Sequence, residues 1–434
     1  MRIKYRGIAY KRPLYFLERQ NELKIAGITA EYNPLHSGHI YHMEETRRLT
    51  GCDALVVAMS GDFVQRGEPA ILDKWLRAEH ALKAGADLVV EIPTLFCLGN
   101  ASQYARGSVG ILEALGCGLI SFGSESGDIG NISDVAAVLK AEREAIESHI
   151  STMIREGKSY PAARSEAYKV IRSGKVSADK LEKELSVLSD PNDILALEYI
   201  INMKKAVPFA IKREGPYHDT GALEHSGFTS AERIRSLIKG GSVEEMGLDN
   251  NVPSYVADSF RAFPPVFPDD CFELLKYAIL SESAESIDEC PSGGEGLGNL
   301  LKSAVNEACD YDGLIMRVKS KRYTYTRISR LCMQILLHIK RSEIGSAGPG
   351  YIRVLGHNER GREVLAAIRK ASKDEENSLC APPVITNINK EMDKLGSAAL
   401  SQLKLDIHAS EIYDLISPEG SEQHVEQRMK PVMA

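Results

Sequence analysis

The chain has 434 residues, 43% hydrophobic and 26% charged, with a formal net charge of -7. That length exceeds one ordinary domain, the composition excludes disordered and fibrous classes, and no apolar run approaches the roughly 18 residues of a membrane span. An acidic balance means that any nucleic-acid contact has to be local, and 8 cysteines without CxxC spacing fit neither a zinc module nor a disulfide framework, which points to a reducing cytoplasm.

Residues 1–24 are basic but lack the continuous apolar stretch of a secretory signal, so they read as an extension ahead of the first strand. From Ile25 to about Phe122 short apolar runs alternate with helical periodicity, which predicts an α/β fold with a doubly wound parallel sheet. The expected strands are Ile25–Ala30, Ala54–Met59, Leu88–Ile92 and Gly118–Phe122, and the helices between them His39–Leu49, Lys74–Ala84 and Ser102–Leu115. Gly51, Gly85 and Gly116 fall where a helix ends in the left-handed conformation. Ligands in such sheets sit beyond the carboxyl ends of strands, so the loops Glu31–Gly38, Ser60–Asp73, Pro93–Asn100 and Gly123–Asp128 carry the interest.

Polar helical sequence follows from Ile129 to Leu188, Pro191 opens a further helix at its first turn, and Val207–Lys212 supplies one more strand. The expected division is therefore an extension (1–24), a nucleotide-binding domain (25–225) and a mostly α-helical second domain (226–434). By composition, Ser281–Asn299, Ser372–Pro383 and Ser417–Ala434 read as surface loops.

His36-Ser-Gly-His39 stands at the first strand-to-helix handover. Backbone N–H groups at a helix start are unpaired and partly positive, so the corner suits nucleotide phosphates, and Gly38 lets backbone approach them closely. His36 and His39 are the catalytic candidates, because an imidazole can follow charge growing on a phosphoryl oxygen. The plain alternative is one buried and one exposed histidine at a turn. The loop Ser60–Pro69 gathers Asp62, Gln65, Arg66 and Glu68 between glycines, as for a ligand or a solvated turn. Lys74 and Arg77 begin a helix against its dipole, which a neighbouring anion would explain. Ser230-Ala-Glu-Arg-Ile-Arg235 marks a helix start suited to phosphate oxygens or simply capped at the surface.

Arg317 to Arg341 holds eight Lys or Arg and no Asp or Glu. Interleaved cations and tyrosines suit phosphate contact and base stacking, so RNA is the leading partner, through Lys321, Arg322, Tyr323, Arg327 and Arg330, with Tyr325 as a second stacking candidate. An internal acidic face is the other reading.

Ala30-Glu-Tyr-Asn-Pro-Leu-His-Ser-Gly-His39, Met59-Ser-Gly-Asp-Phe-Val-Gln-Arg-Gly-Glu-Pro-Ala70, Asp73-Lys-Trp75, Phe122-Gly-Ser-Glu125 and Pro191-Asn-Asp-Ile-Leu195 together resemble the bacterial tRNA(Met) cytidine acetate ligases, from about Lys24 to at least Arg369. The resemblance implies a nucleotidyltransferase-like Rossmann domain. It also implies the activity: acetate and ATP give acetyl-adenylate, and the acetyl group passes to N4 of the wobble cytidine of elongator tRNA(Met), forming N4-acetylcytidine. Carried over by position, the ATP site comprises Thr29, Ala30, Glu31, Tyr32, Asn33, Pro34, Leu35, His36, Ser37, Gly38, His39, Ile40, Tyr41, His42, Gly123, Asn192 and Arg213. Mg2+ is expected with ATP, bound through phosphates and water rather than a protein cage, so no metal ligands are assigned. Leu35 and Ser37 replace the family's usual Phe and Asn, Asn192-Asp193 replaces an Asn-Asn pair, and Ser230-Ala-Glu-Arg departs from Ser-Ala-Thr-Ser. Two rivals share the corner: a small-molecule adenylyl- or cytidylyltransferase, and a non-catalytic tRNA-binding factor.

Overall fold

The computed structural model describes residues 23–213, 229–241, 251–345, 348–371, 382–418 and 425–434, and the backbone of an antiparallel pair at Ile3–Tyr5 and Ile8–Tyr10. One sheet organises the molecule. Its strands are β1 (Ile25–Ala30), β2 (Ala54–Ser60), β3 (Leu88–Ile92), β4 (Leu119–Ser124), β5 (Val207–Lys212), β6 (Ile352–His357), β7 (Val384–Ile385) and β8 (Val432–Met433). They lie in the order β7-β6-β3-β2-β1-β4-β5, with β8 beside β6. The first five are mutually parallel, so their carboxyl ends share one edge.

The covering helices named below are α1 (Ser37–Thr50), α2 (Lys74–Lys83), α3 (Ala101–Ala114), α4 (Pro191–Asn202), α5 (Ala231–Gly240), α6 (Tyr325–Leu336), α7 (Glu359–Ala371) and α8 (Ser397–Ile416). Every residue of β2 and β3 is buried, as parallel strands covered on both faces require. Val56, Val90 and Ile120 pack with α3 on one face, while Val57, Val89 and Leu119 pack with Met43 and Trp75 on the other. Local chemistry sets the boundaries. Gly51 closes α1 at φ 64, and the Asp73 carboxylate caps α2 through the N–H groups of Trp75 and Leu76.

The doubly wound sheet predicted from periodicity is therefore present, but the division at 225/226 does not hold in space. β6, β7 and β8 return from the chain's second half to extend the sheet, β6 running antiparallel to β3. Phe63, Leu95 and Leu98 in turn enter the core of the later helices. Two expected surface loops are also corrected. Ser281–Asn299 buries Ile287, Cys290 and Leu297, because Gly298 lets its helix approach the Ala284 carbonyl. The described part of 417–434 supplies β8 and the buried Glu426, which joins an internal ionic cluster. The third expected loop, Ser372–Pro383, lies almost wholly outside the described residues.

Candidate functional site

β1 delivers the chain to the carboxyl edge of the sheet, and α1 begins there. His36 is the residue before the helix, and its Nδ1 accepts the Gly38 N–H at 3.1 Å. His39 reaches back, its Nδ1 accepting the His36 N–H at 3.3 Å. Each imidazole thus has Nδ1 fixed as an acceptor, which leaves the proton on Nε2. The rings stack with centroids 3.8 Å apart. Burial first, and the Arg213 guanidinium second, hold His36 down at about 3, while burial, His36 and Arg213 keep His39 well below the usual imidazole range. The pair is neutral at pH 7, with two Nε2–H donors not used by the cap.

This changes the expected electrostatics of the corner. Open backbone N–H groups were expected at the helix start, yet the Ser37 N–H goes to the Asn251 carbonyl and the Gly38 N–H to His36. One of these donors is taken by a backbone carbonyl and one by an imidazole, which leaves the two Nε2–H groups as donors that the helix start itself does not use.

The remaining positions of the turn divide by environment. Thr29 and Ala30 are half-buried at the end of β1. Glu31 accepts the Gln65 N–H at 2.9 Å. Tyr32 sits at φ 47, a strained conformation for a bulky residue, and its buried ring meets His39 edge-on at 4.9 Å. Asn33 holds the turn from both sides: its Oδ1 accepts the Ile71 N–H at 2.7 Å and its carbonyl accepts Arg235 Nη1 at 2.8 Å. Pro34 follows through a cis peptide bond. Leu35 is fully buried in the core, so any part it plays in ligand binding is through backbone. Ile40 and Tyr41 pack partly against the same core, and His42 Nε2 pairs with Ser121 Oγ at 2.9 Å.

Gly123 and Arg213, 90 residues apart in sequence, meet here: a Cβ on Gly123 would lie 3.4 Å from Arg213 Cγ. Asn192 and Asp193 differ in their bonds. The Asp193 carboxylate is buried, accepting Ser124 Oγ–H and the N–H groups of Glu125 and Ser126, so it shapes the Gly123 loop from within. Asn192 is half-buried, with its amide donating to Glu125 Oε1.

The Ser60–Pro69 loop is stapled rather than open. Asp62 accepts the Lys74 N–H and the Ser410 hydroxyl, Arg66 pairs with Glu232 at 3.0 Å, and Glu68 lies 3.8 Å from Arg235. The anion sought for Lys74 is a set of carboxylates: Glu91 at 2.9 Å, Glu426 at 3.3 Å and Asp62 at 3.7 Å, all buried. Arg77 instead donates to the carbonyls of Leu72, Glu31, Ser60 and Gly61, clamping the ends of β1 and β2 together. Ser121, Asn251, Ser410 and Glu426 were not singled out from sequence. No local signal could have found them, since each acts on a residue 75 or more positions away.

Four of the eight cations of 317–341, Arg317, Arg322, Arg327 and Lys340, pair with carboxylates. Arg317 pairs with Glu307 at 2.8 Å, and Glu295 pairs with both Arg322, at 3.1 Å, and Arg327, at 3.3 Å. Tyr323 is only 7% exposed, its hydroxyl donates to the Glu295 carbonyl, and Arg322 and Arg327 cover its ring. A base cannot stack there, which corrects that expectation. Arg330 is half-buried and donates to the Gln65 carbonyl, and Tyr325 is half-buried too; Lys321 alone of the five RNA candidates is exposed. Glu295 and Glu307 thus engage three of these cations at the protein surface.

Residues 23–428 match the family model described as HIGH Nucleotidyl Transferase. The chain is 36% identical over 406 residues to the tRNA(Met) cytidine acetate ligase of Clostridium novyi (strain NT), covering 91% of this chain and 96% of that protein. It belongs to the tRNA(Met) cytidine acetate ligase family. Another member, from Clostridium acetobutylicum, is 35% identical over 409 residues, covering 91% of this chain and 96% of its own length. The crystal structure of Thermotoga maritima TmcAL bound with alpha-thio ATP superposes with a TM-score of 0.83 at 30% identity, covering 95% of this chain and 99% of that one. The apo form of the same ligase gives 0.85 over the same coverage. Within this family fold, the HxGH corner, Gly123 and Arg213 converge at the carboxyl edge of the sheet. Among the described residues, no group of three or more His, Cys, Asp or Glu is arranged to hold a metal, and no helix is long and apolar enough to cross a membrane.

Proposed function

We propose that this chain is an ATP-dependent acetate ligase that forms N4-acetylcytidine at the wobble position of elongator tRNA(Met). The observation that carries the reading is the pair of neutral, cap-locked imidazoles beside Arg213, in a chain that matches the ligase family over nearly its whole length. In the first step an acetate oxygen attacks the α-phosphorus of ATP; the bond to the β-phosphate oxygen breaks and pyrophosphate leaves. The Nε2–H groups of His36 and His39 and the Arg213 guanidinium face charge that grows on the departing phosphates, and preorganised donors of this kind stabilise it without reorganising. In the second step the cytidine N4 attacks the acetyl carbonyl, the anhydride bond breaks, AMP leaves and the amine releases a proton.

ATP binding is assigned to the backbone of Thr29 through His42 together with Gly123, Asn192 and Arg213. Asp193 is left out because its carboxylate is spent on the loop. Mg2+ fits as a counter-ion carried on phosphate oxygens and water, supplying charge neutralisation. ATP and tRNA as substrates support a cytoplasmic location. Incubation of purified protein with ATP, labelled acetate and tRNA(Met) tests this: label entering the tRNA in step with AMP release supports it, and AMP or CMP transferred to a small molecule with no labelled tRNA refutes it in favour of the transferase alternative.

A further inference from the structure

Arg77, Arg235 and Arg353 show how this molecule answers an enclosed guanidinium. Arg77 donates to four carbonyls, Arg235 meets the Asn33 carbonyl at 2.8 Å and Glu68 at 3.8 Å, and Arg353 meets Glu426 at 3.4 Å. Arg330 on α6 is different. Among the described residues its one hydrogen bond goes to the Gln65 carbonyl at 3.4 Å, its Nε is sealed from solvent without an acceptor, and no carboxylate is paired with it. Burial, and then the Arg327 charge, hold it down at about 10, with no acid opposing either. A desolvated cation is ordinarily paired, so this place is short of one negative charge.

The place is tied to the HxGH turn. Gly67 presses so closely on α6 that a Cβ there would lie 2.3 Å from the Arg330 backbone nitrogen, and the Gly67 carbonyl accepts the Ser329 hydroxyl at 2.8 Å and the Tyr311 hydroxyl at 3.1 Å. Gln65, whose carbonyl meets Arg330, gives its N–H to Glu31 at 2.9 Å, and Glu31 opens the turn that leads to His36. Topology sets the side. β1 lies between β4 and β2; Gly123 and Arg213 of the nucleotide site come from the ends of β4 and β5, whereas Gln65 follows β2. The second reactant of the first step therefore approaches from the β2 side.

We infer that Arg330 binds the carboxylate of acetate, contacting one oxygen while the other is free to attack the α-phosphorus. Acetate and ATP are both anions, and a cation on the acetate side offsets their repulsion. A small carboxylate suits a guanidinium enclosed on its Nε side better than an RNA phosphate, whose strand calls for exposed cations. This rests on the ligase reading above and names the group that holds its acetate.

The test is the full chain carrying Arg330→Met, assayed by acetate-dependent exchange of labelled pyrophosphate into ATP without tRNA. KM for acetate should rise about 10–100-fold, the loss expected for one charge-assisted contact, with KM for ATP within about twofold of wild type. Removing an uncompensated charge should leave the variant melting no lower than the wild-type chain, and acetate against chloride at equal ionic strength should raise the melting temperature of the wild type but not of the variant. An unchanged KM for acetate overturns the inference. So does weaker filter binding of a tRNA(Met) transcript with KM for acetate unchanged, which would give Arg330 to an RNA phosphate. If Arg330→Met does not fold, Arg330→Lys replaces the planar fork by a point charge and should raise KM for acetate about 3–10-fold, a wild-type value again overturning the inference. A wild-type chain with no acetate-dependent exchange removes the ligase reading and this inference together, whereas equal exchange in both proteins removes the inference alone.

Discussion

Replacing Lys74 by Met removes the ammonium at the centre of a buried ionic cluster. Lys74 Nζ lies 2.9 Å from Glu91, 3.3 Å from Glu426 and 3.7 Å from Asp62, and Asp406 and Arg353 stand close by. At an effective dielectric of about 20 each of the three contacts is worth about 5 kcal/mol of attraction, most of it offset by the desolvation of the ions. Burial alone would lower the lysine's pKa, but the Glu426, Glu91 and Asp62 charges outweigh it and raise the group well above its ordinary value. Without Lys74, four buried carboxylates lose their shared ammonium, and Glu426 keeps its contact with Arg353 at 3.4 Å. Breaking such a set typically costs about 3–5 kcal/mol, or a melting temperature lower by about 6–10 °C at ~2 °C per kcal/mol. Adding Glu91→Gln should recover about 2 kcal/mol, so the double variant melts above the sum of the single effects. The pH dependence has a definite sign. Burial raises Glu91 and Asp406 above the usual carboxylate range, so the folded state holds protons more tightly than the unfolded chain, which releases them near 4.5 and 3.8. Their contribution to stability is full below those values and is lost as pH rises through the raised folded values. Glu91→Gln should flatten the upper part of that decline. Scanning calorimetry from pH 5 to 9 reads all of this; a Lys74→Met protein melting within about 1 °C of wild type, or additive effects in the pair, would refute the reasoning.

Three further outcomes follow from the site. His39→Ala should lower kcat about 10²–10³-fold, as loss of one preorganised donor does, and release the His36 N–H from its cap; full activity would remove the imidazole from the chemistry. Because His36 is depressed to about 3 and His42 to about 4, kcat/KM for ATP should stay flat from about pH 6 to 8, and a limb near 6.5 that vanishes in His39→Gln would contradict this. The same depressed histidines contribute stability present above 6.5 and lost as pH falls through about 4. Gly67→Ala should destabilise by about 1–3 kcal/mol, since that residue has φ 86 and a Cβ would lie 2.3 Å from the Arg330 backbone nitrogen; urea unfolding indistinguishable from wild type would show that the loop can shift.

What could be read from the sequence was whatever depends on neighbours in the chain. The runs Ile25–Ala30, Ala54–Met59 and Leu88–Ile92 declare buried parallel strands by their predominantly apolar character, and His36-Ser-Gly-His39 declares a helix start by its place after the first of them. What escaped depends on distant pairing. β6 is apolar at Ile352, Val354 and Leu355, but nothing local says that it returns to lie beside β3. The cations of 317–341 looked exposed because their counter-charges, Glu295 and Glu307, lie outside the run. Asp62 looked like a ligand-facing residue in a polar loop, yet its carboxylate is claimed by Ser410, 348 residues later. The corner itself was legible in kind but not in electrical detail: helical periodicity cannot show that the imidazoles consume the N–H groups of their own helix.

The central claim is that two neutral imidazoles, fixed through Nδ1, present Nε2–H to the triphosphate. A crystal structure of this chain with a non-hydrolysable ATP analogue tests it most directly. The account predicts phosphate oxygens within about 3.2 Å of Nε2 of both His36 and His39, with the two cap bonds intact. A nucleotide lodged away from these rings, or rings turned so that Nδ1 meets phosphate, would contradict it.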